Sequence, residues 1–380
     1  MGKSMHNMKK ILMVINVDWL FIMHRICIGK EAFQQNYQVF VATKDTGRSK
    51  EIEKAGLHFV PLIISRSSVN IFSEVKLIFE MFRLYKKTNP EIVYHVTMKP
   101  VIYGSIISRI LNIKVLNAIS GLGYNFTEGR RSITQIVMAN LMQIGFNSHN
   151  VELLFENKDD YQELKDLGVV SKKNKISFTK GVGTDLEQFK PVLREENEKL
   201  IVLLPTRMLW DKGVKEFVAV AQLLEERYFG RVFFQLCGMV DLENKEGIPE
   251  SYLKEIEVEG YLKWIGFQEN MVEVYQNSDI VVLPSYREGM PTVLIEACAV
   301  GKPIVTTDAI GCKECVEEGL NGYKVPVKSV VELADAIEKL INSPQDRGRM
   351  GLYSRKKAES EFDQRNFVKL HMAIFESFLK

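Results

Sequence analysis

Short apolar runs rich in β-branched residues alternate along this chain with longer stretches whose apolar positions recur every three or four residues. The first kind reads as buried parallel strands and the second as helices packed on them. Strand-like runs in the first half are Lys9 to Val17, Tyr37 to Thr43, Gly56 to Ile64, Glu91 to Val96, Lys114 to Ala118, Val151 to Glu156 and Lys175 to Thr179. Helical patterns fall between them, notably up to Gln34, Ile71 to Lys87, up to Leu111, and Ile133 to Phe146. A polar interval with the charged stretch Arg194 to Lys199 follows. The alternation then resumes with Leu200 to Pro205, Val232 to Cys237, Tyr261 to Ile265, Ile280 to Leu283, Pro303 to Thr306 and Gly322 to Val325. A helix over Val331 to Asn342, a charged segment and an amphipathic helix over Phe367 to Leu379 end the chain. Strict strand–helix alternation predicts an α/β fold with parallel sheets. The 380 residues exceed the usual span of one core. The expectation is two Rossmann-like domains facing each other across a cleft, residues 1–190 and 191–358.

The most informative stretch follows the run Asp279 to Leu283. It reads Pro284-Ser285-Tyr286-Arg287-Glu288-Gly289-Met290-Pro291, then a small-residue helix that carries Glu296. Proline is favoured at the first helical position because its missing N–H would have no intrahelical partner there. A helix starting at Pro291 leaves the N–H groups of Met290, Thr292 and Val293 converging on an anion site outside the strand end. Two flanking acids, Glu288 and Glu296, suit the hydroxyls of a nucleotide sugar: Glu296 the ribose and Glu288 the sugar, with the diphosphate between them. Cations must then come from elsewhere. The loop Thr206 to Gly213, also after a strand, supplies Arg207 and Lys212. The plain alternative is a surface helix whose acid complements the macrodipole.

In the first half, open α/β sheets direct attention to strand ends. His24 and Arg25 stand in the first helix, and His24 reads equally as a crevice residue or as a helix-surface one. His95, Thr97 and Lys99 follow the fourth strand, and Ser120-Gly121-Leu122-Gly123-Tyr124 the fifth. Each alone is equally a turn residue. No G-x-G-x-x-G follows the first strand, so a dinucleotide fingerprint is missing. Arg130 and Arg131 precede the nearly uncharged helix 133–146, which reads either as a core helix or as an interfacial patch whose arginines meet lipid phosphates.

Composition narrows the classes. Charged residues at 26% and hydrophobic ones at 46% are those of a globular enzyme. A net charge of +2 gives no case for nucleic acid. Five scattered cysteines suggest no disulfide framework, and Cys312-Lys313-Glu314-Cys315 lacks the further ligands zinc requires. No apolar run reaches membrane-spanning length, so the expected place is the cytoplasm, including its membrane face.

Four parts of the second half carry a resemblance: Glu288 to Glu296 (an E-x7-E pattern), Arg207 with Lys212-Gly213, Gly181 to Asp185 with Phe189-Lys190-Pro191, and Gly311-Cys312-Lys313-Glu314. Together they resemble the retaining family-4 glycosyltransferases of GT-B fold. Asp18-Trp19-Leu20-Phe21 with His24-Arg25, His95 to Pro100, and Ser120 to Tyr124 look like a bacterial subgroup. That subgroup builds capsule, O-antigen and protein-linked glycans on polyprenyl diphosphate carriers. The resemblance implies that Arg207 and Lys212 bind the donor diphosphate and Glu296 the ribose. Glu288, with Gly289, Met290, Pro291 and Thr292, meets the transferred sugar. Ile265 and Gly266, with Gly238 at the neighbouring strand end, hold the nucleotide. On the acceptor side it points to Asp18, Trp19, Lys99, Ser120, Gly121, Gly123, Gly183 and Asp185. Many relatives carry a histidine where this chain has Ser120, which leaves His24, His95 and Lys99 as replacements. The paired glycines usual after the first strand are here Asp18 and Trp19.

Further implications are a C-terminal helix, 359–380, packing back on the first domain, and retention of configuration on one face of the sugar. The donor is a nucleotide sugar, UDP being the expected nucleotide, and the acceptor a polyprenyl-diphosphate-linked saccharide. No D-x-D site is present, and two cations with a helix start can replace Mg²⁺. Neither metal nor cofactor is expected. The alternatives are a sugar-nucleotide epimerase of the same fold and a catalytically silent sugar-binding protein.

Overall fold

A computed structural model describes residues 8–64, 70–122, 133–192 and 199–380. It divides into two compact units, Met1–Val182 with Asn366–Lys380, and Gly183–Arg365. The first unit contains β1 (Lys10–Val17), α1 (Asp18–His24), α2 (Ile26–Gln34), β2 (Gln38–Lys44), α3 (Ser49–Lys54), β3 (His58–Pro61), α4 (Ile71–Thr88) and β4 (Ile92–Val96). A π-helical turn, Pro100–Gly104, then runs into α5 (Ser105–Leu111), followed by β5 (Lys114–Ile119), α6 (Ile133–Phe146), β6 (Val151–Phe155), α7 (Lys158–Asp166) and β7 (Lys175–Phe178).

The second unit contains β8 (Leu200–Pro205), a 3-10 turn at Trp210–Lys212, α8 (Val214–Tyr228), β9 (Val232–Cys237), α9 (Glu250–Glu255), β10 (Leu262–Trp264), α10 (Met271–Gln276) and β11 (Ile280–Leu283). It continues with α11 (Thr292–Ala299), β12 (Ile304–Thr307), α12 (Cys312–Cys315), β13 (Gly322–Val325), α13 (Val330–Asn342) and α14 (Pro344–Glu361). The last helix, α15 (Gln364–Leu379), belongs almost wholly to the first unit.

Both sheets are parallel throughout. Their orders are β3-β2-β1-β4-β5-β6-β7 and β10-β9-β8-β11-β12-β13. The order reverses between β1 and β4 and between β8 and β11, and the loops leaving those strands open the crevice where such sheets take ligands. Alternate residues of each strand feed opposite faces. Ile11, Met13 and Ile15 join Phe21, Ile28, Phe367 and Phe375 in one cluster. Leu12 and Val14 join Leu77, Met81, Tyr85 and Ile107 on the other face.

The units divide at Val182/Gly183, eight residues before the boundary expected at 190/191. Leu186 is packed into the second core. Arg355 ties it down further, donating to the carbonyls of Leu186 and Phe189. The charged segment after Asn342 is the helix α14, which extends the second unit past 358 to Arg365. Ser343 caps α14 by accepting from the Asp346 N–H at 3.2 Å. The helix buries only a narrow line that includes Met350, Gly351, Ser354 and Ala358, so little apolar period marks it in the sequence.

Candidate active site

At the switch point of the second sheet, the loops after β8, β11 and β12 are locked together through backbone. Gly213 has φ +75, and a Cβ on it would lie 2.2 Å from the Pro284 carbonyl oxygen. The Tyr286 N–H donates to the Asp211 carbonyl at 2.9 Å, and the Glu288 N–H to that of Ile310 at 2.9 Å. Gly311, at φ +81, allows the carbonyls of Glu288 and Gly289 to approach where a Cβ would sit 2.5 Å from each. The glycines at 213 and 311 are therefore demanded by close approach, whatever else they do.

This lacing brings Lys212 and Glu288 together, Nζ to Oε1 at 2.7 Å, both side chains largely withdrawn from solvent. Arg207 reaches Asp241 in the loop after β9, Nη1 to Oδ2 at 2.9 Å. Burial alone would lower the Lys212 ammonium, but the carboxylates of Glu288 and Asp211 outweigh it and hold the pKa above its ordinary value. Asp211 moves upward, burial being the main cause and Lys212 the main opposing charge, with Glu288 and Arg207 also within electrostatic reach. Arg207, Asp211, Lys212 and Glu288 thus form one charge cluster. Each cation in it already holds a carboxylate.

The helix after this cluster starts one residue later than expected. Pro291 is its cap, at φ −71 and ψ 111, and its carbonyl accepts from Leu294 at 3.0 Å and Ile295 at 3.2 Å. The first helical N–H groups, which lack intrahelical acceptors, are those of Thr292 and Val293. Met290 is buried, its sulfur 3.5 Å from Cys315 Sγ, so its side chain packs the core below the loop. Glu296 is partly buried within α11. Burial lifts its carboxyl to about 7, against the lowering influence of the Tyr275 hydroxyl.

A backbone wall continues the site along β9 and β10. A Cβ on Gly238 would lie 1.8 Å from the Thr206 oxygen. The Gly238 N–H donates to the Gly266 carbonyl at 2.9 Å and the Ile265 N–H to that of Leu236 at 2.9 Å. The Trp264 indole donates to the Gly238 carbonyl at 3.0 Å.

In the first unit several expected site residues turn out to be structural. His95 is fully buried. Its Nε2 lies 2.6 Å from the Tyr85 hydroxyl and its Nδ1 2.8 Å from Asn117 Oδ1. Burial pulls its pKa down to about 4, partly offset by the Asn117 hydrogen bond. It is a neutral core residue and lines no crevice, because β4 is covered on both faces. Asp18 is likewise buried. Its carboxylate accepts from Trp19 N (2.7 Å), Thr46 Oγ1 (2.6 Å), Thr46 N (2.7 Å) and Arg48 N (3.1 Å). Those four donors commit it to holding the loop after β2. Lys99 pairs with Glu74 of α4 at 2.6 Å, and Tyr103 donates to the other Glu74 oxygen at 2.8 Å.

Trp19 and His24 are half-buried at the two ends of α1, Ser120 is exposed after β5, and Gly121 beside it has φ +99. Gly123, Tyr124, Arg130 and Arg131 lie outside the described residues. Gly183 packs beneath the Phe362 carbonyl. Asp185 Oδ1 caps a turn by accepting from Glu187 N at 2.9 Å and Gln188 N at 3.2 Å. Both do local work in the second unit. Asp211 and Asp241 escaped assignment. Their signal was present, an acid in each of two adjacent strand-end loops, but an expected anion site made further acids look misplaced.

Comparison with known proteins gives the family and the fold. The family model for glycosyl transferases group 1 matches residues 185–357, and that for glycosyl transferase 4-like proteins matches residues 10–158. The chain is 28% identical over 371 residues to the N,N'-diacetylbacillosaminyl-diphospho-undecaprenol alpha-1,3-N-acetylgalactosaminyltransferase of Campylobacter jejuni, covering 94% of this chain and 95% of that protein. It is 23% identical over 351 residues to the UDP-Gal:alpha-D-GlcNAc-diphosphoundecaprenol alpha-1,3-galactosyltransferase of Escherichia coli, covering 88% of each. The structure of Anabaena HepE in complex with UDP and glucose superposes with a TM-score of 0.78 at 18% identity, covering 98% of this chain and 100% of that one. The fold is GT-B, and the epimerase reading finds no support among these relatives. With a 4-like domain at its N-terminal end and a group 1 domain at its C-terminal end, the chain belongs to the glycosyltransferases.

Proposed function

We propose that this glycosyltransferase is retaining and moves one sugar from a UDP-sugar to a hydroxyl of a polyprenyl-diphosphate-linked saccharide. The observation that carries the donor half is the cluster of Arg207, Lys212 and Glu288 at the switch point beside the start of α11. The acceptor half rests on the two transferases whose names give undecaprenol-linked substrates.

In this reading the donor diphosphate replaces the carboxylates that now hold the two cations. Arg207, Lys212 and the N–H groups of Thr292 and Val293 bind its oxygens. Glu288, released from Lys212, accepts from the sugar hydroxyls. Glu296 accepts from the ribose, and the backbone around Gly238, Ile265 and Gly266 holds the base. The bond between the anomeric carbon and the diphosphate oxygen breaks, and the acceptor oxygen bonds to that carbon on the same face. The acceptor proton passes to the leaving diphosphate oxygen. Preorganised cations stabilise charge as it grows there, an effect worth roughly 10²–10³ in turnover for each strong donor. No metal takes part in this scheme.

Radiolabel transfer from UDP-sugars to an undecaprenyl-diphosphate saccharide, with and without EDTA, tests the reading. Lys212→Met and Glu288→Gln are each expected to lower turnover roughly 10²-fold or more in a folded protein, and EDTA to leave it unchanged. Undiminished transfer by Glu288→Gln would take Glu288 out of the catalytic machinery, absence of transfer by the wild type would leave the catalytically silent reading standing, and loss with EDTA would remove the metal-free scheme. No helix among the described residues is long and apolar enough to cross a membrane. In this reading a polyprenyl acceptor brings the enzyme to the bilayer surface, by α6 with Arg130 and Arg131 or by another face.

A further inference from the structure

The helix α4 has two apolar faces. Leu77, Met81 and Tyr85 pack against β1, β4 and α5 in the core. Ile71, Phe72, Val75, Ile78 and Phe79 form a second stripe, spaced i, i+1, i+4, i+7 and i+8, on the solvent side. All five are exposed: 76% for Ile71, 86% for Phe72, 61% for Val75, 37% for Ile78 and 53% for Phe79. Ile63, between two residues of the same core cluster, is 73% exposed as well. A contiguous apolar patch with two bare phenylalanines marks an interaction surface.

The charges around it say what kind. Lys76, Arg83, Lys86 and Lys87 are exposed on the same helix. Of its two acids, Glu74 turns inward to Lys99 and Tyr103, and Glu80 answers Lys76 at 3.9 Å. The Arg83 guanidinium lies over the Phe79 ring at 4.2 Å and the Lys86 ammonium over Phe82 at 5.2 Å. Aromatic rings topped by cations are the arrangement of side chains that bury their stems while their charges stay at a polar boundary. A second copy of this chain fits less well, because a two-fold contact through this face would gather both copies' four cations into one interface.

We propose that the outer face of α4 docks on an anionic lipid surface, with Phe72 and Phe79 entering the acyl boundary and Arg83, Lys86 and Lys87 meeting lipid phosphates. The placement suits the lipid-carried acceptor proposed above, on which this inference rests for its purpose. The stripe occupies the first half of α4, where Glu74 holds Lys99 in the loop leaving β4, so it lies at the ligand-binding edge of the first sheet. Helix α6 is less suited. It exposes Ile136, Val137 and Ile144 by about half, but it carries no charge within 133–146, and Arg130 and Arg131 before it lie outside the described residues.

Vesicle flotation of the full chain decides this, using phosphatidylglycerol–phosphatidylethanolamine vesicles against pure phosphatidylcholine. The wild type is expected to float with the anionic vesicles only, and less so as salt rises. The double variant Phe72→Ser, Phe79→Ser is expected to lose roughly tenfold or more of that partition, with its thermal midpoint unchanged because both rings are exposed. Lys86→Glu with Lys87→Glu is expected to lose the preference for anionic lipid. Unchanged flotation of the double phenylalanine variant overturns the proposal. So does equal binding to neutral vesicles, or a fall in sedimenting mass caused by the double variant, which would assign the face to a second copy. A water-soluble, short-chain acceptor diphosphate keeps the two readings apart. The α4 variants should transfer to it at the wild-type rate, whereas failure of the wild type itself would count against the proposed function and leave the docking face intact.

Discussion

At the scale of single residues, Glu296 carries an unusual burden. It sits in an apolar helix, and burial raises its carboxyl from 4.5 to about 7. A raised acid means that the folded state holds its proton more tightly than the unfolded chain does. Between about 4.5 and 7 the native state then binds more protons, and stability falls as pH rises through that window. Glu296→Gln removes the penalty. The variant is expected to gain most over the wild type above pH 7 and little below 4.5, as read by the thermal midpoint across that range. Such a gain would come with weaker UDP binding if the carboxylate takes the ribose. His95 shows the opposite sign: a pKa lowered to about 4 favours the folded state at neutral pH and costs stability as pH falls below 6.5. Its chemical type advertised catalysis, but its burial, with both ring nitrogens engaged, identifies it as part of the core.

At the scale of elements, the loops of the second switch point are rigid because their backbones touch. Gly213 has no room for a side chain: a Cβ would meet the Pro284 carbonyl at 2.2 Å, and its φ is left-handed. Gly213→Ala is expected to cost roughly 1–3 kcal/mol of stability and to displace Lys212 from Glu288. Urea unfolding checks the first effect, and loss of UDP-induced thermal shift at retained fold checks the second. Strands β8 and β11 begin and end where the apolar runs do, because a strand at the centre of a covered sheet writes itself as a continuous apolar segment. Helix α14 was not legible in the same way. It is polar on most sides, and its packing on α11 depends on small residues, the Gly351 Cβ position lying 2.3 Å from the Gly301 carbonyl.

At the scale of the whole molecule, the chain leaves the first unit after Val182 and returns to it for Asn366–Lys380. The returning helix α15 inserts Phe367, Met372, Ile374, Phe375 and Phe378 into the core cluster that holds Ile11, Met13 and Ile15. His371, buried and neutral, lies 3.1 Å from the Tyr94 hydroxyl. A chain ending at Asp363 is expected to lose the folded first unit, since five buried apolar side chains at about 1.5–3 kcal/mol each rival the whole stability of a domain. Limited proteolysis would then degrade residues 1–182 while residues 183–363 resist and still bind UDP. Equal resistance of both halves would show that α15 is dispensable.

The sequence by itself determined the repeating strand–helix order, the parallel sheets and the two loops that meet at the second switch point. Each of these is local: strand burial, cap chemistry and glycine position act within a few residues and leave their mark there. Partnership was decided only in three dimensions. Which carboxylate holds Lys212, where the ring of His95 points, what saturates Asp18 and which face of α4 stays bare all depend on residues distant in the chain, for a side chain's neighbours come from the packing of the sheets and not from its own segment.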